Sequence, residues 1–202
     1  MKPSSYLLRL TYVLLLASVT TFISHRTYAA EMLHMEFWKQ DNQYHLRSSS
    51  IIDAPPELII NTLLNYNHFY RLSSGIKKTR YLDPDPDGTP VAFTLIESCV
   101  LFFCKQIKKT ERILFVSDSE IVLEADPVRS DFKFMRSRWS TRIEAGQTIL
   151  SYDMDMQPEF WIPPLIGTWA IKRKLYNSAM NMARRMEKMA STGTPLREFK
   201  IQ

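Results

Sequence analysis

The chain has 202 residues, of which 45% are apolar and 23% charged, and a formal net charge of +5 at pH 7. The first 29 residues hold Lys2, Arg9 and Arg26 but no acid, so about +2 is left on the remaining 173 or so. This balance lacks the concentrated basic footprint of a nucleic-acid binder, and the remaining length is within the size of one domain.

Residues 1–29 read as an export leader: basic residues, an apolar run of about 14 residues from Leu10 to Ile23, then a polar stretch ending in small residues. The run is shorter than the roughly 20 residues that span a bilayer, and cleavage after Ala29 puts Thr27 at the minus-three position. An uncleaved anchor is the alternative. The domain then runs over 30–190, with no linker or repeat to divide it, and 191–202, holding Gly193 and Pro195, is expected to be a flexible tail.

His45–Ala54 reads as the first strand, stopped by Pro55 and Pro56. Those prolines open a short helix, because proline is tolerated in a helix's first turn, and a second helical turn follows around His68–Leu72 before Gly75. From Ile76 to Glu159 six alternating stretches are predicted as strands, namely IKKTRYLD, PVAFTLIES, KQIKKTERILFV, EIVLEADPV, SRWSTRIEA and TILSYDMDMQP. The turns between them are too short for crossover helices, which makes neighbours antiparallel. A last helix is predicted from Pro163 to about Ala190. At 100° per residue, Leu165, Trp169, Tyr176, Met180 and Ala183 share one side, flanked by Ile171, Leu175, Met182, Met186 and Met189. Six basic residues with only Glu187 opposing them form a stripe on the remaining face. It fits a solvated face or one held near anionic lipid. The alanines and methionines along the apolar side suit plain core packing or a surface that leaves room for a guest.

The segments APPELIINTLLNYNHFYRL, ESCVLFFCK, SDFKFMRSRW and EFWIPPLIGTWAIKRKL, in this order, resemble the START-like superfamily, which includes polyketide cyclases and coenzyme Q-binding proteins, and within it the exported proteins of Gram-negative bacteria. The resemblance runs from about His45 to Ala190. It implies an α+β helix-grip fold: a curved antiparallel sheet of about seven strands wrapped around the long C-terminal helix, a short helical pair after strand 1, and an apolar cavity between sheet and helix. Trp169, Tyr176, Met180 and Ala183 are the expected cavity lining. The chain departs from its relatives in SDFKFMRSRW, where Phe134 and Met135 stand in place of an expected glycine, and Asp131 and Arg138 read as a structural charge pair.

Cys99 and Cys104 are the only cysteines, and in an exported domain a disulfide is the first expectation. A turn at Val100–Phe103 places them opposite each other, while the spacing fits neither a C-x-x-C redox pair nor a zinc site with its three or four ligands. Val100, Leu101, Phe102 and Phe103 cannot all point inward, which suggests a cavity mouth or a membrane contact, against ordinary burial under a neighbouring loop.

No catalytic motif accompanies His34, His45 or His68. Among the strand acids Glu97, Glu124, Asp126, Asp153 and Asp155, the last two alternate with Met154 and Met156 and are expected on the outer face. The reading is an exported, periplasmic carrier or binder of a lipid-like or quinone-like molecule, with no cofactor, metal or nucleic acid and with transient membrane-surface contact. The alternatives are a cyclase or dehydratase using a cavity carboxylate or tyrosine, and a protein-binding adaptor.

Overall fold

The computed structural model describes residues 30–163 and 166–199, so the expected leader and Leu165 lie outside the described residues. In chain order the elements are β1 Glu31–Gln40, β2 Gln43–Ile52, α1 Pro56–Leu64, a 3-10 turn Phe69–Leu72, β3 Ile76–Leu82, β4 Val91–Val100, β5 Phe103–Ser117, β6 Glu120–Ala125, β7 Phe132–Glu144, β8 Gln147–Pro158, α2 Thr168–Thr192 and a 3-10 turn Leu196–Glu198. All eight strands form one antiparallel sheet in the order β1-β2-β8-β7-β6-β5-β4-β3. The helix-grip class is as expected, with eight strands instead of about seven.

The added strand is β1, and the helical pair therefore follows the second strand. Asp41 and Asn42 join β1 to β2 with φ of 47° and 64°, the left-handed pair that a two-residue hairpin turn needs and that Asp and Asn tolerate. As an edge strand β1 is largely exposed, which blurs its alternation. The sheet bends where the register shifts, including between Phe132 and Phe134, so an extra residue supplies at SDFKFMRSRW the bend that a glycine was expected to give. Asp131 and Arg138 do not pair there: the Asp131 carboxylate accepts from the Lys108 N–H at 2.7 Å, and Arg138 meets Glu120 at 3.3 Å.

Helix α1 carries its two prolines at the entry and buries Ile59, Ile60 and Leu63. Helix α2 begins five residues after Pro163, at Thr168. Gly167 precedes it because a side chain there would meet the Trp169 ring, 2.8 Å from the position of a Cβ. It ends at Gly193, whose φ of 64° gives the left-handed stop common at helix C-termini. Beyond it, in the segment expected to be a tail, the chain is docked as far as Phe199, and residues 200–202 lie outside the described residues. Leu196 and Phe199 are buried, and Arg71 donates to the Phe199 carbonyl at 2.7 Å.

The interior is three clusters. One joins Ile52, Ile59, Leu63, Leu72, Met180, Met186 and Met189 at the α1 end. A second joins Phe37, Tyr44, Leu46, Phe132, Met135 and Met154, packed by Ile171 and Leu175 near the start of α2. A third, Tyr66, Ala92, Ile113 and Leu123, lies under β4–β6.

Candidate functional site

A partly enclosed cavity of about 180 Å³ opens between the sheet's inner face and α2, where the three clusters fail to merge. Its wall draws Met32, Leu63, Ile121 and Ala183 from the first cluster, Met35, Leu46 and Leu175 from the second, and Tyr66 and Leu123 from the third. On the helix side Leu175, Ser178, Ala179, Met182 and Ala183 face it. Small side chains at 178, 179 and 183 keep the helix from filling the space.

Of the expected lining, Ala183 is in the wall. Met180 is buried in the first cluster, and Trp169 and Tyr176 point outward, 62% and 42% exposed. The inward face of α2 is thus rotated by roughly a quarter turn from the one centred on Trp169 and Tyr176. The wide apolar arc offered two candidate faces, and the sheet receives the one whose alanines permit close approach.

One sector of the wall is polar. Strand alternation brings Ile107, Lys109, Glu111 and Ile113 of β5 to the same face, so two charges enter in phase with apolar residues. Glu111 is fully buried. The Lys109 ammonium donates to its Oε2 at 2.8 Å, and the Tyr66 hydroxyl reaches the same oxygen at 3.5 Å. Glu111 Oε1 and Thr94 Oγ1 are buried without a hydrogen-bond partner among the described residues. Tyr152 completes the sector, stacked on Trp139 with ring centroids 3.9 Å apart. Burial first, and then the Glu111 charge, push both the Tyr66 and Tyr152 hydroxyls well above their ordinary pKa. Both phenols stay protonated at neutral pH, Tyr66 donating to Glu111 and Tyr152 keeping an O–H to donate. None of these residues was singled out from sequence, though the charges at 109 and 111, in phase with Ile107 and Ile113, were the available signal.

The outer face is different in kind. Asp153 and Asp155 lie on it, as expected, while Met154 and Met156 turn inward to the second cluster. Asp155 accepts from His45 at 2.7 Å and from Arg47 at 2.8 Å, and Trp38 stacks on the His45 ring at 4.9 Å. Burial alone would raise the Asp155 pKa, but the His45 and Arg47 hydrogen bonds outweigh it and hold it below the usual carboxylate range. His34 sits 3.8 Å from Glu36, and His68 meets the Asn65 side chain at 3.1 Å.

Cys99 and Cys104 are disulfide-bonded across the β4–β5 hairpin, with Cα atoms 4.0 Å apart. The turn is tighter than the expected four residues: Val100 pairs with Phe103, leaving Leu101 and Phe102 at the tip. Leu101 and Phe102 are 60% and 73% exposed, whereas Val100 and Phe103 are half-buried. Lys105 lies over the Phe160 ring at 5.6 Å and so ties the hairpin's base to the segment before α2, where Trp161 is also exposed. Among the described residues no helix is long and apolar enough to cross a membrane.

A curved antiparallel sheet gripping a C-terminal helix around a hollow defines the START-like fold, and the chain has it. No family model and no curated protein matches the sequence. Solved structures do match. A START superfamily protein from Mycobacterium smegmatis superposes with a TM-score of 0.56 at 16% identity, over 74% of this chain and 99% of that one. The Zhui aromatase/cyclase from Streptomyces sp. R1128 gives 0.58 at 12% identity over 79% and 99%. A STAR-related lipid transfer protein from Xanthomonas axonopodis gives 0.56 at 11% over 75% and 98%.

Proposed function

We propose that the protein is an exported, non-enzymatic binder or carrier of a lipid-like or quinone-like molecule with a polar end. The cavity carries this reading: an apolar wall with one polar sector formed by Tyr66, Thr94, Lys109 and Tyr152. Burial of apolar ligand surface supplies the affinity, and the polar sector fixes orientation. At about 180 Å³ the space is near the roughly 150 Å³ apolar cavity that accepts benzene. A single ring burying about 100 Å² gains only about 2.5 kcal/mol, short of the roughly 4 kcal/mol of millimolar binding. A useful ligand is therefore longer than one ring, with its remaining length displacing α2 or projecting from the cavity.

The solved START-like neighbours include a lipid transfer protein and an aromatase/cyclase, which supports a bound apolar guest without choosing between transport and chemistry. Here the two phenols are held protonated and the carboxylate is tied to Lys109, an arrangement better suited to holding a polar end than to moving protons near neutral pH. The disulfide supports an oxidising compartment, such as the periplasm of a Gram-negative bacterium. The exposed Leu101, Phe102 and Trp161, with the basic stripe of α2, support transient contact with a membrane surface during ligand exchange.

Native mass spectrometry of the full chain purified without detergent, paired with analysis of its organic extract, tests the proposal. A co-purifying apolar molecule at one per chain is the expected result. An empty chain that turns over an aromatic polyketide favours the enzyme reading, and a stoichiometric protein partner favours the adaptor.

A further inference from the structure

Glu187 is the only acid on α2, and neighbouring Arg184 and Lys188 line the same open surface groove. Yet among the described residues Glu187 forms no ion pair with a side chain. Its Oε1 accepts the Asp53 N–H at 2.9 Å and its Oε2 accepts the Ala30 N–H at 2.9 Å. One carboxylate thus clamps the end of β2 and the residue just before β1 to the helix. Ala30 is packed in the first apolar cluster with Ile52, Ala54, Met186 and Met189. It is also the residue that the leader's pattern makes the first of the processed chain.

We propose that Ala30 is the mature N-terminus and that its new α-ammonium is seated on Glu187, so that processing itself converts a hydrogen bond from an uncharged amide into an ion pair with the same carboxylate. The proposal rests on the export reading. In the step, a leader peptidase hydrolyses the Ala29–Ala30 peptide bond: water's oxygen goes to the Ala29 carbonyl carbon to give a carboxylate, and the Ala30 nitrogen leaves as an amine and takes up a proton. The cation is then 2.9 Å from Glu187 Oε2, at the distance of a charge-assisted hydrogen bond. The charged groups around the seat are Asp53, Arg184, Glu187 and Lys188. Before cleavage the same nitrogen is an amide with one N–H and no charge. Removal of the leader therefore tightens the closure of β1 against the helix at the site's own edge strand.

The test begins with intact mass of the full-length gene product purified from a Gram-negative expression host, which should start at Ala30. The rate of α-amine acylation is then followed from pH 6 to 10, with lysine labelling as an internal control for folding. An ordinary α-amine titrates near about 7.7 to 8.0; the seated one should titrate at least about one unit higher and label roughly tenfold more slowly at pH 7. Glu187→Gln should abolish the difference. A chain that keeps its leader or begins elsewhere overturns the proposal through the export reading. An Ala30 terminus with an ordinary titration in the unaltered protein overturns the seat alone, and neither outcome alters whether the cavity binds a guest.

Discussion

The two faces of the sheet both carry ion pairs, and they are built for different ends. Outside, Arg47 and Asp155 meet at 2.8 Å with about a third of each side chain exposed, as one link in a run of surface charges. Inside, Lys109 and Glu111 meet at the same 2.8 Å with 13% and 1% exposed, among Ile113, Leu123 and the tyrosines. Water screens the outer pair, so it contributes little. The inner pair loses most of its hydration, and an apolar pair of the same volume would often be as stable. Keeping charges there at such a cost marks the polar sector as the part of the interior that answers to something other than packing.

Breaking the inner pair should therefore have the largest effect. Lys109→Met leaves Glu111 buried and uncompensated and should cost about 3 to 5 kcal/mol in urea unfolding; a loss under about 1 kcal/mol would erase the contrast between the faces. Opening the staple with Cys99→Ser and Cys104→Ser should cost about 2 kcal/mol, because the closed loop is short, and leave probe binding in the cavity intact. Alkali should act next. Tyr66 and Tyr152 keep their protons in the folded chain, while in the unfolded chain they ionise near pH 10. Their contribution is thus fully present below about pH 10 and falls as pH rises past it, and absorbance titration should show these two tyrosines titrating last, behind Tyr44 and Tyr81, which burial also raises.

On the outer face Asp155→Asn should cost no more than about 1 kcal/mol at pH 7. Because the folded Asp155 pKa lies below its unfolded value, that cost is present above about pH 4 and should disappear as pH falls through the folded pKa. The smallest stability effect belongs to Phe102→Ser at the exposed tip, within about 0.5 kcal/mol of zero, while association with anionic vesicles should drop severalfold. Unchanged association would remove the hairpin from the membrane-contact proposal.

The contrast also explains what was legible in the sequence. Strands β3–β8 were legible because half-buried strands alternate, and the start of α1 because proline acts through the local backbone, whereas Gly193 was placed in the expected tail and is the stop of α2. Strand β1 was hidden because an edge strand need not alternate, although Asp41-Asn42 was a usable turn signal. The disulfide followed from the expectation of export and from the spacing of the two cysteines. The cavity lining did not, because Trp169 and Tyr176 dominate the apolar arc by size while the direction of α2 is set by close approach at Ala179 and Ala183, a tertiary matter. Lys109 and Glu111 look like ordinary surface charges one at a time; only their shared phase with Ile107 and Ile113 gives them away.

A substitution at Ala179, where the helix borders the cavity without being fully buried, probes the hollow most directly. Titration of an environment-sensitive apolar dye into the protein and into Ala179→Phe, at matched folded fraction by circular dichroism, should show saturable one-to-one binding that weakens at least tenfold when the phenyl ring fills the space. Equal binding by both chains would contradict the account, since the guest would then sit somewhere other than between sheet and helix.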